Sequence, residues 1–436
     1  MLQRLSRVTS TGRFVPEIDG LRFMAIIAVV LFHIQKHVFP AWTDFASLPS
    51  VLSLGDGAVV ALRGMINTGW IGVQLFFIIS GFILSTPFAE HHLSGSSAPG
   101  LGKYFLRRVT RLEPPYIINL LLLYGLTVWV ASYSVSGGQG RSAGELAPHF
   151  LASLLYSHNL AYGDHSLINN VAWTLEIEVQ FYLLAPLLAC VFKISSTPLR
   201  RSAIVAGILA GCLFGHWRSS LGPEHERLAY VLGMTLLGQF KFFLIGFLLA
   251  DLYLVDWHKS PVKQWRWDAL GLAAWLAIPF MIRTEVPWLD EAWGDFHAGW
   301  RYEYILPAVM LAAYVGAFRG RALNLFFRYP WITAVGGMCY TIYLYHNTVI
   351  FFTMRSAAGF DLGLGAGVNG VARAGLLIFA VVACGALMFV LFERPFMNRH
   401  WPRWVAQQAR AIAARLSGKG LALEPQQAQP LRPDKD

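Results

Sequence analysis

Along this chain the apolar positions gather into runs that are nearly continuous rather than alternating, with short polar breaks between them. Ten such runs stand out, near 21–38, 69–86, 115–133, 172–192, 202–217, 234–254, 268–282, 303–318, 331–353 and 371–392. The fifth and seventh are the shortest, and most of the others approach the about twenty apolar residues that cross a hydrocarbon core of about 30 Å. A β-barrel would alternate apolar and polar residues over about ten positions, and no such pattern is present. Within lipid each backbone amide must be bonded inside its own segment, which leaves the helix. The pattern therefore predicts an all-α, polytopic membrane bundle of about ten transmembrane helices. No stretch repeats at a fixed period. The longest connections, 39–68 and 134–171, are rich in Gly, Ser and Pro and are expected to be partly ordered by the bundle. After Arg394 the chain becomes polar and basic, so a membrane domain over 1–400 and a basic tail over 401–436 are expected, with disorder from about 417 onward.

Composition agrees. Of 436 residues, 55% are hydrophobic and 14% charged, against about a quarter charged in soluble domains. Charge also gives the orientation. With the N-terminus placed in the cytoplasm, 24 of the 35 Lys and Arg residues fall on the inner side and nine on the outer side, and Arg22 and Lys241 lie at or in spans. That asymmetry predicts cytoplasmic termini at both ends and an even number of spans. The net charge of +10 is thus a topology signal. Spread over separate short loops, it makes no nucleic-acid surface. The first run is not expected to act as a signal peptide, because it lacks a small-residue cleavage site and contains His33. The four cysteines, Cys190, Cys212, Cys339 and Cys384, have no CxxC spacing, and neither a metal site nor a disulfide framework is expected.

The polar residues inside the runs carry the chemistry. In "FVPEIDGLRFMAIIAVVLFHI", Arg22 and His33 are eleven residues apart. On a helix that separation brings both to one face, about 16 Å apart along the axis. Ionisable groups at membrane depth face a cavity or a partner, because exposure to lipid is costly. The run 69–84 carries Gly72, Gln74, Ser80 and Gly81, the glycines suited to close helix approach. Arg108 and Arg111 stand three apart just before the third span, where two guanidiniums can clamp phosphate or simply mark the cytoplasmic side. In "NNVAWTLEIEVQFYLLAPLL", Glu176 reads as a carboxylate snorkelling to the outer surface, whereas Glu178 lies deeper and shares a face with Tyr182. Tyr340, Tyr343 and His346 recur at three-residue spacing and share a stripe.

Taken in order, these elements resemble the acyltransferase-3 family of integral-membrane acyltransferases, over about residues 14–397. Ile18–Arg22 and His33 match its opening motif, Gly72–Phe82 its second-span element, and Arg108 and Arg111 its paired arginines. Trp173–Tyr182, Tyr340–His346 and Glu393–Pro395 match three further elements. The chain departs from the pattern at Gln74 and Val179, where many members carry an acid, and at Glu176, where many carry Ser. The resemblance leaves Glu178 as the matching carboxylate.

The resemblance implies a stand-alone, multi-pass enzyme of the bacterial inner membrane. It would move an acyl group, often acetyl, from cytoplasmic acyl-CoA to a hydroxyl of a cell-surface glycan, a lipid-linked sugar or a secondary metabolite. The donor is a substrate, and no tightly bound cofactor or metal is implied. A cytosolic polyanion would meet Arg22, Arg108 and Arg111. A neutral imidazole, His33, would take the acceptor's proton, and Glu178 would orient that histidine or bind acceptor hydroxyls. Tyr182, Tyr343 and His346 would line the substrate. Direct transfer is favoured, because no Ser or Cys nucleophile elbow is evident, with an acyl-histidine relay as the alternative. The same buried His, Arg and Glu would also suit a transporter or flippase of lipid-linked sugars.

Overall fold

The computed structural model describes residues 14–38, 64–281, 299–357, 362–363, 366–397 and 401. Of the expected tail over 401–436, all but residue 401 lies outside the described residues, as does most of the connection 39–68. Among the described residues the chain is all-α. Helices α1 (Pro16–Val38), α2 (Gly72–Ser94) and α3 (Leu101–Trp129) are followed by the short α4 (Ala143–Leu154) and α5 (His158–Tyr162). Then come α6 (Trp173–Leu188), α7 (Thr197–Ser219), α8 (Glu226–Gly233), α9 (Leu236–Asp251) and α10 (Trp265–Ala277). The series ends with α11 (Leu306–Arg319), α12 (Ala322–Phe327), α13 (Pro330–Gly337), α14 (Cys339–Ala357) and α15 (Ala366–Met388).

Five helices are long and apolar enough to cross a membrane: Gly69–Ser94, Trp173–Lys193, Thr197–Ser219, Leu236–Asp256 and Val368–Met397. They coincide with five of the ten expected spans. The other five expected spans also fall on helical segments. Two depart in form. Helix α3 starts at Leu101, so Arg108 and Arg111 belong to the same continuous helix as the apolar run after Pro114 and Pro115. The run 331–353 is broken at Met338 into α13 and α14. The break follows the pair Gly336–Gly337, and any side chain at Gly336 would collide with the Asp19 carbonyl of α1.

The centre of the bundle is the α2–α9 pair. Gly81 packs against the Phe243 carbonyl, as the sequence expects of a glycine at close approach. Phe243 stacks on Phe77 at 4.8 Å and on Phe181 of α6 at 4.0 Å, which brings α6 onto the same core. Two buried ion pairs brace the surrounding helices. Asp251 at the end of α9 accepts from Arg200 and, at 2.7 Å, from Arg201, both of α7. Lys241 of α9 pairs with Glu303, which sits on the π-helical turn Arg301–Ile305 before α11. An apolar helix tolerates such charges only when they are matched.

The segment between α3 and α6 turns back into the bundle. Ser142 and Glu145 form a capping box that starts α4. The Tyr124 hydroxyl donates to the Ala143 carbonyl (2.8 Å), and the Tyr116 hydroxyl donates to the Ser153 carbonyl (3.0 Å). The Tyr156 ring stacks on Tyr116 at 4.8 Å. Positions fall along α3 as they rise along this segment, so α4 runs antiparallel to α3, toward the arginine-bearing half of that helix. The expected partial ordering of 134–171 thus takes the form of a returning arm.

Candidate active site

One cleft is built where α1, α2, α3, α6 and α14 converge. It encloses about 860 Å³ counted out to its open mouth. Arg22, Arg108, Arg111, Glu178, Tyr182 and Tyr343 all line it, so six of the eight expected site residues meet in one place. Phe76, Phe77 and Ile79 of α2 form an apolar wall beside them.

Several of these polar groups are held by a neighbour. Arg22 pairs with Asp19 one turn before it. The Arg108 guanidinium lies 5.8 Å from the ring centres of both Tyr104 and Tyr182, a cation between two aromatic faces. Nε of Arg108 and Nε of Arg111 are buried without a hydrogen-bond partner. Glu178 accepts from Ser80 of α2 and, at 2.9 Å, from the Tyr182 hydroxyl. Glu393, which also lines the cleft, accepts from the Thr341 amide (3.2 Å) and hydroxyl (2.5 Å).

Helix α14 is fixed by polar side chains along its length. The Tyr340 hydroxyl donates to the Leu112 carbonyl (3.0 Å), and Asn119 donates to the Leu344 carbonyl (3.2 Å). Asn169 of the returning arm donates to the Asn119 side-chain oxygen (2.8 Å). The Tyr343 hydroxyl donates to the Val171 carbonyl (3.0 Å) and accepts from Thr174 (2.9 Å). Tyr343 therefore presents its ring to the cleft while its hydroxyl is occupied.

His33 and His346 are not among the cleft-lining residues. They meet each other, one turn of α14 beyond Tyr343. Nδ1 of His346 lies 2.7 Å from the Tyr343 carbonyl, which can only accept, so this nitrogen carries the proton. Its Nε2 is then an acceptor, 3.4 Å from Nδ1 of His33. Nδ1 of His33 is also 3.0 Å from the Val29 carbonyl, again an acceptor. The network assigns the His33 proton to Nδ1 and the basic lone pair to Nε2.

Glu176 departs from its expected place. It is buried rather than snorkelling outward, and it accepts from the Asn159 amide at 2.8 Å. The returning arm covers the start of α6 and supplies that donor. Sequence reasoning did not single out Asp19, Thr174 or Thr341 as partners, and it did not mark Glu113 or Tyr156. Asp19 was visible as the one acid a turn from Arg22. Nothing local points from Glu113 to Tyr156, because the arm that joins them is a tertiary feature.

Comparison with known proteins places this arrangement. The chain is 26% identical over 361 residues to the peptidoglycan O-acetyltransferase OatA of Listeria monocytogenes, covering 80% of this chain and 51% of that protein. It is 22% identical over 363 residues to a Staphylococcus aureus protein named as an O-acetyltransferase, covering 78% and 51%. The chain spans about half the length of these curated relatives. No solved structure matches it. A family model described as an acyltransferase domain matches residues 15–392, nearly the whole of the described bundle, and the chain belongs to that family of acyltransferases.

Proposed function

We propose that this protein transfers an acyl group, acetyl in the first instance, from cytoplasmic acyl-CoA to a hydroxyl of a cell-envelope glycan or a lipid-linked sugar. The observation that carries this reading is the cleft with three arginines, two of which hold a buried Nε–H without an acceptor. A buried donor left unmade costs about 1–3 kcal/mol, which a phosphate oxygen would recover. In this reading the bundle has ten spans with both ends in the cytoplasm, and the arginines face the compartment that holds CoA.

Phosphates at Arg108 and Arg111 leave the flexible pantetheine arm to run along α1 toward His33. Arg22 and His33 are about 16 Å apart along that helix, a separation the arm is long enough to bridge. His33 Nε2 takes the acceptor hydroxyl's proton as the oxygen attacks the thioester carbonyl. The carbon–sulfur bond breaks, and the imidazolium returns the proton to the CoA sulfur. His346 holds the His33 ring in the tautomer that this step needs. Glu178, with Tyr182, binds and orients hydroxyls at the cleft. The relatives named as peptidoglycan O-acetyltransferases favour a glycan acceptor.

The test is direct. Purified protein in nanodiscs is given acetyl-CoA labelled in the acetyl group and a panel of envelope glycans, and label in ester linkage is measured. Labelled glycan with release of free CoA supports the reading. Movement of lipid-linked sugar across the bilayer without acetyl transfer would replace it with a flippase.

A further inference from the structure

The edge where α10 begins and α11 ends carries a cluster that the transfer chemistry leaves unused. Gly271 of α10 and Gly316 of α11 meet backbone to backbone, too close for a side chain at either. That crossing draws the entry of α10 onto the end of α11, where the Gln264 amide donates to the Arg319 carbonyl (2.8 Å). The Arg319 guanidinium lies 4.4 Å from the centre of the Trp267 ring, and the Arg266 guanidinium lies 5.2 Å from the same ring. Arg321 stands over Trp265 at 5.8 Å. We propose that this edge binds the phosphate of an anionic phospholipid, with the Arg319 Nε–H and the Trp267 indole N–H as donors. The site shares no residue with the cleft.

Three observations carry it. First, Nε of Arg319 and Nε1 of Trp267 are both buried without a hydrogen-bond partner among the described residues. Each can only donate, so an acceptor from outside is what both lack. A phosphate oxygen supplies it, and its bond to a guanidinium is of the stronger, charge-assisted kind.

Second, cations outnumber acids here. Lys263 is already engaged, donating to the Phe318 carbonyl and facing Glu17 at 3.7 Å. Asp268 accepts from the amides of Arg321 (2.7 Å) and Leu323 (2.8 Å) at the start of α12. The guanidiniums of Arg266, Arg319 and Arg321 stack on tryptophan rings instead of pairing with a carboxylate. Basic groups at a membrane edge attract anionic headgroups, and tryptophan favours the same depth.

Third, an apolar face continues from the edge. Trp265, Leu272 and Leu276 of α10 are 62%, 53% and 51% exposed. Spacings of seven and four place them on one face. The row spans about 16 Å along the helix, close to the hydrocarbon depth of one leaflet, about 15 Å. A phosphate that carries acyl tails matches both the cations and the face below them. Inorganic phosphate would leave the face unused, and a lipid without net charge would leave the cations unmatched.

The experiment titrates the full chain in detergent with phosphatidylglycerol or phosphatidylcholine and counts retained lipids by native mass spectrometry. The parent should retain phosphatidylglycerol in preference to phosphatidylcholine. Arg319→Gln should lower the phosphatidylglycerol affinity about fivefold, the effect of one basic residue at a membrane surface. Trp267→Phe keeps a ring and loses the N–H, and should lower it about threefold. That variant keeps the test decisive should Arg319→Gln fail to fold. Arg107→Gln removes the same charge from an exposed position on α3 and should leave the affinity unchanged. An equal loss in Arg107→Gln and Arg319→Gln marks a diffuse basic belt and overturns the proposal. Unchanged affinity in Trp267→Phe overturns it too, as does equal retention of the two lipids by the parent. Displacement of phosphatidylglycerol by inorganic phosphate would assign the donors to a free anion and also overturn it.

Discussion

Nε2 of His346 lies 3.4 Å from Nδ1 of His33, across 313 residues of sequence. The Tyr343 carbonyl fixes the first ring, and the first ring fixes the second. The donors run from His33 Nδ1 through His346 Nδ1 to the Tyr343 carbonyl, and the Val29 carbonyl, 3.0 Å from His33 Nδ1, supports the same tautomer.

Under the proposed reaction this relationship gives the two histidines different tasks. His33→Ala should lower transfer by about 10²–10⁴-fold, the range of a lost general base, with CoA binding kept. His346→Ala should give a smaller loss, and His346→Gln, which can still accept at its side-chain oxygen, should recover part of it. Ester product per folded protein is the measure. Full activity in His33→Ala would return that residue to packing.

The donor prediction concerns Arg108 and Arg111. Lysine keeps the charge but loses the planar fork and the stacking between Tyr104 and Tyr182. The double variant Arg108→Lys, Arg111→Lys should bind acetyl-CoA at least tenfold more weakly, about 1.4 kcal/mol, while inserting normally. Unchanged affinity would reduce both arginines to topology signals.

Stability should depend sharply on Asp251. It is fully buried against Arg200 and also bonds Arg201. Asp251→Ala leaves a buried guanidinium unmatched, a loss of about 3–5 kcal/mol. Detergent-solubilised protein should show a clearly lowered melting temperature, and Arg108→Lys should not.

A further pH dependence belongs to the returning arm. The His158 Nδ1–H donates to the Asp164 carbonyl at 3.0 Å, and its Nε2 lies 2.9 Å from His149. Burial lowers the affinity of His158 for a second proton, and the same cause acts on His149. Both folded values lie below the unfolded value of about 6.5. The unfolded chain therefore binds more protons, and stability is full above about pH 6.5 and declines as the pH falls toward the folded values. Melting temperature should drop between pH 7 and 5, and His158→Gln should flatten that slope. An equal slope in parent and variant would rule out this pair as the source.

Topology can be checked independently. Reporter fusions after Arg201 and Arg328 should read cytoplasmic, and one after Arg141 should read external. Two reversed signals would remove the basis for placing the arginine cleft on the CoA side.

The sequence carried the convergence of Arg22, Arg108, Arg111, Glu178, Tyr182 and Tyr343, because each belongs to a motif or breaks an apolar run. It also placed Gly81 at a close approach. It did not carry the returning arm, since a period reports which face leaves water and not which segment lies against it. For that reason Glu176 and Glu178, two residues apart, were given the wrong surroundings in one case and the right ones in the other. Lys241 was visible as a lone cation in a span, but its partner Glu303, 62 residues on, was not.

The returning arm and α14 together have a consequence for biogenesis. Asn119, Asn169 and the Leu344 carbonyl close into one cluster, and the last member follows the first by 225 residues. During translation α3 and the arm are made long before α14 exists. Asn119 and Asn169 have only each other as partners in this cluster until Leu344 is delivered. A nascent chain stopped before α14 would hold the arginines but neither the second histidine nor the clamp. Such a chain should be cleared by quality-control proteolysis instead of persisting as a partial enzyme.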